Sequence, residues 1–153
     1  MTESVVEILL VEDNPHDVKL MLHALRKNRI ASHTHVVRDG CEALDYLFCK
    51  GLYKTRPGRA PRLVLLDLKL PKMDGLEVLR RLKSDPQTQA IPVVMLTSSR
   101  EERDIRDSYQ LGVNSYIVKP VDFERFNDTV RRLGTYWLLV NEPPVVRRLE
   151  NNI

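Results

Sequence analysis

Short apolar runs that stop on a polar residue recur four times along this chain. Val6–Val11 (VEILLV) ends on Glu12-Asp13, Leu63–Leu66 (LVLL) on Asp67, Val93–Leu96 (VVML) on Thr97, and Tyr116–Val118 (YIV) on Lys119. Runs of this length bounded by polar or turn residues read as buried parallel strands. In open α/β sheets the binding crevice lies outside the carboxyl ends of the strands. The pattern therefore predicts three carboxylates, a hydroxyl and an ammonium at one end of one sheet.

Helical patterns alternate with these runs. A strand over Val5–Val11 is followed by Asn14 as a candidate cap and Pro15 at a first helical turn, with Val18, Met21, Leu22 and Leu25 as the apolar stripe. His33–Arg38 makes a weaker second strand between Ser32 and Asp39-Gly40, and Cys41, Leu44, Leu47 and Phe48 mark the next helix. Gly51–Pro61 (GLYKTRPGRAP), with two Pro, two Gly and no acid, reads as a loop before a third strand over Leu63–Asp67. The Leu70–Gly75 turn leads to a helix through Leu76, Leu79 and Leu82 that stops before Pro86. A strand over Pro92–Leu96, a helix from Glu101 to Leu111, Gly112 at its C-terminus, and a strand over Ser115–Val118 follow. Phe123, Phe126, Val130, Leu133 and Trp137 give the last helix its stripe. Five βα units without an internal repeat imply an α/β fold with a doubly wound, five-stranded parallel sheet.

Composition narrows the function classes. The 153 residues with 42% hydrophobic content suit one domain with a real core. No run approaches the ~18 apolar residues of a membrane span, and no signal-peptide core opens the chain, so a cytoplasmic location is expected. Cys41 and Cys49, eight positions apart on a helix, are ~12 Å apart by helical rise, too far for a disulfide. They are expected as buried or half-buried thiols. The net charge of +3 gathers at Lys54, Arg56, Arg59 and Arg62 and at Arg131, Arg132, Arg147 and Arg148. No nucleic-acid-binding motif or aromatic-interleaved basic face accompanies them, so they read as solvated surface.

A lone Asp at a strand end is ordinarily a turn residue, Thr97 a helix cap and Lys119 a solvated charge. Their joint placement favours chemistry. Clustered carboxylates raise one another's pKa unless a cation neutralises them. Mg²⁺, held by one or two carboxylates with waters and phosphate oxygens, meets that need, and a hydroxyl with an ammonium suits an anion.

The segments VEDNP, LLDLKLPKMDG, MLTSS and YIVKP resemble, in order, the motifs of the response-regulator receiver domain of two-component signalling. Thr97 and Lys119 follow Asp67 by 30 and 52 residues, spacings similar to those of that family. The likeness runs from about Val5 to Trp137, which implies a flavodoxin-like sheet of order 2-1-3-4-5, a receiver over residues 1–137 and a tail, 138–153, too short for a separate effector domain. The loop 51–61 and the ending Thr135–Leu138 also resemble the single-domain regulators of bacterial and cyanobacterial phytochrome histidine kinases.

The resemblance implies that Asp67 is the phosphoacceptor, taking a phosphoryl group from a sensor histidine kinase to form an acyl phosphate, in a signalling domain rather than a turnover enzyme. It implies a Mg²⁺ site of Asp13, Glu12 (mainly through water), Asp67 and the backbone carbonyl of Lys69. Thr97 and Lys119 would bind phosphoryl oxygens, and Thr97 with Tyr116 would form the switch. Lys69 and Ser99 occupy variable positions that tune dephosphorylation, and neither is suited to orient a water. Glu12 stands where Asp is commoner. The Lys119–Pro120 peptide is expected to be cis.

A phosphatase of the haloacid-dehalogenase type is the rival, but it needs a second Asp two residues past its nucleophile, where this chain has Lys69. A flavin-binding module would not carry acidic Glu12-Asp13 in its phosphate loop, and no GxxxxGK[ST] is present. The apolar run Tyr136–Val140 exceeds one core-facing stripe, so a homodimer is expected through the fourth helix, fifth strand, fifth helix and tail.

Overall fold

The computed structural model describes residues 6–29 and 33–144. Val5, Ser32, Arg147, Arg148 and the tail beyond Pro144 lie outside the described residues. Five strands, β1 Ile8–Val11, β2 Thr34–Val37, β3 Leu63–Leu66, β4 Val93–Thr97 and β5 Ser115–Val118, form one parallel sheet of order β2-β1-β3-β4-β5. They alternate with α1 Pro15–Lys27, α2 Gly40–Leu47, α3 Gly75–Ser84, α4 Glu102–Gln110 and α5 Phe123–Gly134.

The two-residue period of the strands divides the core. Leu9, Val11, Val64, Leu66, Val93 and Met95 face α2 and α3, meeting Leu44, Leu47, Val78, Leu79 and Leu82. Ile8, Leu10, Leu63, Leu65, Val94 and Leu96 face α1 and α5, meeting Met21, Leu25, Phe126, Val130 and Leu133. The three inner strands are buried along their whole length, whereas every residue of β5 and most of β2 are only half-buried. Burying one such Leu contributes about 1.5–3 kcal/mol, so the inner strands anchor the fold.

Local chemistry sets the helix starts. Asn14 Oδ1 accepts from the backbone N–H of His16 and Asp17 at 2.9 and 3.2 Å, capping α1 as expected, with Pro15 at its first position. Asp39, Asp74 and Asp122 cap α2, α3 and α5 in the same way. Gly112 closes α4 with φ +98, a left-handed conformation that an L side chain would strain.

Several expectations need correction. Cys41 is exposed, because the buried face of α2 is built from Ala43, Leu44, Tyr46 and Leu47; Cys49 is half-buried. Phe123 is 43% exposed and lies beside the His23 ring instead of joining the core stripe. The last helix does not run regularly to Trp137. It widens into a π-helical segment, Thr135–Val140, closed by Asn141 N–H donating to the Tyr136 carbonyl five residues back at 2.6 Å. That wider turn lets Leu138, five residues past Leu133, reach the same core. No described peptide bond is cis, so Lys119–Pro120 is trans. Lys119 reaches its partners from a trans peptide, and no isomer is needed to aim it.

The loop 51–61 holds more order than its Pro and Gly content suggests. A 3₁₀ turn, Gly51–Tyr53, brings Tyr53 edge-on to Tyr46, while His35 stacks on Tyr46 with ring centroids 4.6 Å apart. The Arg56 guanidinium lies 4.1 Å over the Tyr46 ring and donates to the Tyr46 carbonyl at 2.9 Å. Tyr53 Oη donates to Glu42 Oε2 at 2.7 Å and sits 3.0 Å from His35 Nε2. The loop is thereby pinned over β2 and α2.

Candidate functional site

Strand register gathers the site. Val11 pairs with Leu66, and Thr97 with Val118, so Glu12, Asp67, Thr97 and Lys119 all emerge at the carboxyl edge. The backbone fixes them there: Asp67 N–H donates to the Val11 carbonyl at 3.1 Å, Glu12 N–H to Val37 at 3.0 Å, and Lys119 N–H to Thr97 at 2.7 Å.

One oxygen from each of Glu12, Asp13 and Asp67 lies within 4.8 Å of the others. Their environments differ: Glu12 and Asp67 are buried, while Asp13 is exposed at the mouth. Burial pushes the Glu12 carboxyl up to about 7, aided by the nearby Asp67 charge and opposed by Lys119. An acidic cluster this close, with one member reluctant to ionise, suits a hard divalent cation bound through oxygen. Lys69 is exposed two residues beyond Asp67.

The Lys119 ammonium is the cluster's internal counter-charge. Its Nζ lies 2.6 Å from Glu12 Oε1, 2.8 Å from Asp17 Oδ2 and 3.5 Å from Asp67 Oδ2. Burial disfavours that charge, but hydrogen bonds to Asp17 and Glu12 and the field of Asp67 outweigh it, so its pKa is raised. Asp67 Oδ1 accepts from Leu68 N–H at 2.7 Å. Gly75 brings the start of α3 against this segment, its N–H donating to the Leu68 carbonyl at 2.7 Å.

Thr97 is buried at the end of β4, its Oγ1 accepting from Ser99 N–H at 3.4 Å. Ser99 Oγ donates to Asp104 Oδ2 on α4 at 2.5 Å, and the Ser99 carbonyl accepts from Tyr116 Oη at 3.0 Å. Burial raises the Tyr116 phenol pKa. One short loop thus ties Thr97, Tyr116 and α4 together.

Glu12, Asp13, Asp67, Thr97 and Lys119, expected from sequence, lie at this edge, whereas Tyr116 sits further back on β5, opposite Met95, and reaches the edge only through its hydroxyl on Ser99. Two were missed. Asp17 carried the signal of an acid in the first turn of a capped helix, which by itself reads as a response to the helix dipole. Asp104 carried no signal beyond its charge.

The model of the response regulator receiver domain matches residues 8–131 of this chain. The chain belongs to that family. It is 44% identical over 137 residues to the probable methanogenesis regulatory protein FilR2 of Methanothrix harundinacea, covering 90% of this chain and 86% of that one. It is 40% identical over 131 residues to the response regulator Rcp1 of Synechocystis sp., covering 86% and 88%. The Mn²⁺-bound form of Rcp1 superposes with a TM-score of 0.83 at 38% identity, covering 90% of this chain and 98% of that one. The phosphorylated cyanobacterial phytochrome response regulator RcpA superposes with a TM-score of 0.86 at 42% identity, covering 93% and 100%. The receiver is a signalling domain of two-component systems, whose partner is a histidine kinase, and the phosphatase alternative is not favoured. Among the described residues no helix is long and apolar enough to cross a membrane.

Proposed function

We propose that this receiver takes a phosphoryl group from a sensor histidine kinase onto Asp67 and signals through its own change of shape. The observation that carries this reading is the meeting of Asp67 with Glu12, Asp13 and the Lys119 ammonium at one strand edge. An Asp67 carboxylate oxygen attacks phosphorus, the bond from phosphorus to the donor's leaving atom breaks, and that atom keeps the electron pair. Thr97 and Lys119 donate hydrogen bonds to the phosphoryl oxygens. Glu12, Asp13, Asp67 and the Lys69 carbonyl would hold Mg²⁺, which when bound supplies positive charge for carboxylates and phosphoryl group alike. Thr97 and Tyr116 act as the switch, and their shared contact with Ser99 supports that coupling.

The narrower assignment is a phytochrome kinase as partner, in the cytoplasm, with residues 1–137 as the receiver and 138–153 as its tail. It rests on the likeness to RcpA and Rcp1. Output runs through a homodimer on the face of α4, β5, α5 and the tail. Half-buried β5 and a groove of about 460 Å³ lined by Ile117, Leu133, Tyr136 and Trp137 support that surface, with Leu139 and Val140 exposed beside it. No nucleic-acid surface is assigned. Contact with the kinase transfers phosphate without turnover, so autodephosphorylation is the only hydrolysis expected.

Incubation with Mg²⁺ and acetyl phosphate tests the central reading. One acid-stable, base-labile phosphoryl group per chain is expected, absent without Mg²⁺ and absent in Asp67→Asn. Multiple-turnover release of inorganic phosphate, or labelling of Asp67→Asn, overturns it.

A further inference from the structure

Lys119 has three N–H donors, and three carboxylates take them unequally. Glu12 and Asp17 accept at 2.6 and 2.8 Å, while Asp67 stands back at 3.5 Å. Glu12 belongs to the metal-ligating cluster and Asp17 does not. Were Glu12 engaged at a divalent-cation site, directly or through water, Asp17 would be the close partner left to Lys119.

Asp17 is itself held. It occupies the third position of α1, its N–H bound to Asn14 Oδ1, and the Asn14 N–H donates to Glu12 Oε2 at 3.2 Å. A closed circuit of bonds thus runs Glu12–Asn14–Asp17–Lys119–Glu12. The Asp17 side chain is 24% exposed and that of Lys119 10%, so the pair stands at the rim with the ammonium turned inward. An acid in a first helical turn needs no such partner to serve the helix dipole, and the contact with Lys119 goes beyond that role.

We propose that Asp17 is a positioning residue for phosphotransfer, one that would hold the Lys119 ammonium beside Asp67 when Glu12 is engaged at the metal site. The inference rests on Asp67 being the phosphoacceptor. With acetyl phosphate, an Asp67 oxygen bonds to phosphorus, the bond from phosphorus to the acetyl oxygen breaks, and acetate leaves with the electron pair. No proton need move, and Lys119 keeps its charge. The donor nearest Asp67, the loosest of the three, is free to meet a phosphoryl oxygen while Asp17 fixes the ammonium's place. An unanchored Lys119 would wander on its four-carbon stem, and a displacement of about 1 Å can lower a rate by about 10²-fold.

The test compares full-length wild type, Asp17→Ala and Asp17→Asn for the rate of Asp67 labelling at saturating acetyl phosphate, followed by intact mass. Mg²⁺ affinity is measured separately by calorimetry with the metal alone. Asp17→Ala should label roughly ten-fold to a hundred-fold more slowly, with an Mg²⁺ dissociation constant within about three-fold of wild type. Asp17→Asn keeps the acceptor oxygen without the charge and should label within about three-fold of wild type. A helix-dipole role instead makes Asn as poor as Ala, and that result overturns the proposal. So does undiminished labelling of Asp17→Ala, or a loss of Mg²⁺ affinity that parallels the loss of rate. Failure of the wild type to label at all would refute the assignment of Asp67 instead.

Discussion

Replacing Gly75 by Ala should damage stability and phosphotransfer together. A Cβ at this position would stand 2.2 Å from the Asp67 carbonyl oxygen, 2.9 Å from Leu68 Cα and 3.0 Å from the Asp67 carbonyl carbon. Non-bonded carbon contacts settle near about 3.5 Å, so α3 and the Asp67–Leu68 backbone must part by roughly 1 Å. Overpacking of this kind costs about 1–3 kcal/mol. The Gly75 N–H bond to the Leu68 carbonyl, 2.7 Å long, would be stretched or lost, at about 1 kcal/mol. Ala's better helix propensity offsets less than about 1 kcal/mol. A net loss of about 2–3 kcal/mol is expected from urea unfolding followed by circular dichroism. Because the strained backbone carries Asp67 itself, labelling by acetyl phosphate should slow by about 10²-fold. Gly112→Ala is the control. Its φ of +98 predicts a loss of about 1–2 kcal/mol, but the three atoms nearest its Cβ belong to the flexible Lys83 side chain, at 3.3–3.7 Å, far from the site. Gly75→Ala within about 0.5 kcal/mol of wild type, or labelling no more slowly than Gly112→Ala, would refute the reasoning.

Lys83→Met should lower stability by about 1–3 kcal/mol in urea unfolding while leaving the labelling rate unchanged. Its Nζ serves the carbonyls of Gln89 and Ile91 and Asn114 Oδ1 at 2.8–3.1 Å, at the opposite end of the sheet from Asp67. His35 should make the fold acid-sensitive. Burial lowers its pKa below the ordinary 6.5, with Glu42 opposing and Arg56 assisting. As pH falls through that ordinary value the unfolded chain takes the proton first, so stability is complete above it and declines below. Urea midpoints at about pH 7.5 and about pH 5.5 should differ less in His35→Gln than in wild type, and equal differences would contradict the assignment. The homodimer should be present without phosphate and weakened by Trp137→Ala or truncation after Tyr136. A monomer in sedimentation equilibrium, with and without beryllofluoride, would rule it out.

The sequence alone determined the parts that local pattern encodes. β1, β3 and β4 are buried on both faces, so their apolar runs are unbroken and the polar residue ending each stands out. Glu12, Asp13, Asp67 and Thr97 were legible for that reason, because a strand end in a parallel sheet has one address; Lys119 was legible from the short apolar run of β5 although that edge strand is only half-buried. Caps at Asn14 and the stop at Gly112 were legible because a single residue's chemistry decides them.

What lies at the edges was decided only by tertiary structure. β2 is half-exposed, and its weak pattern hid that His35 stacks on Tyr46 and that Tyr53 and Arg56 return from the next loop to cover it. The run Tyr136–Val140 was one apolar block in sequence, but a widened turn sent Leu138 inward and left Tyr136, Leu139 and Val140 outside. The Lys119–Pro120 peptide was expected to be cis from family resemblance, but it is trans, and the ammonium still stands among three carboxylates. Asp17 is the plainest case. It lies 102 positions from Lys119, and no periodicity links two side chains that meet only after α1 packs against α5. Local pattern fixes which face of an element is buried, whereas pairing across the sheet and its helices depends on where whole elements come to rest.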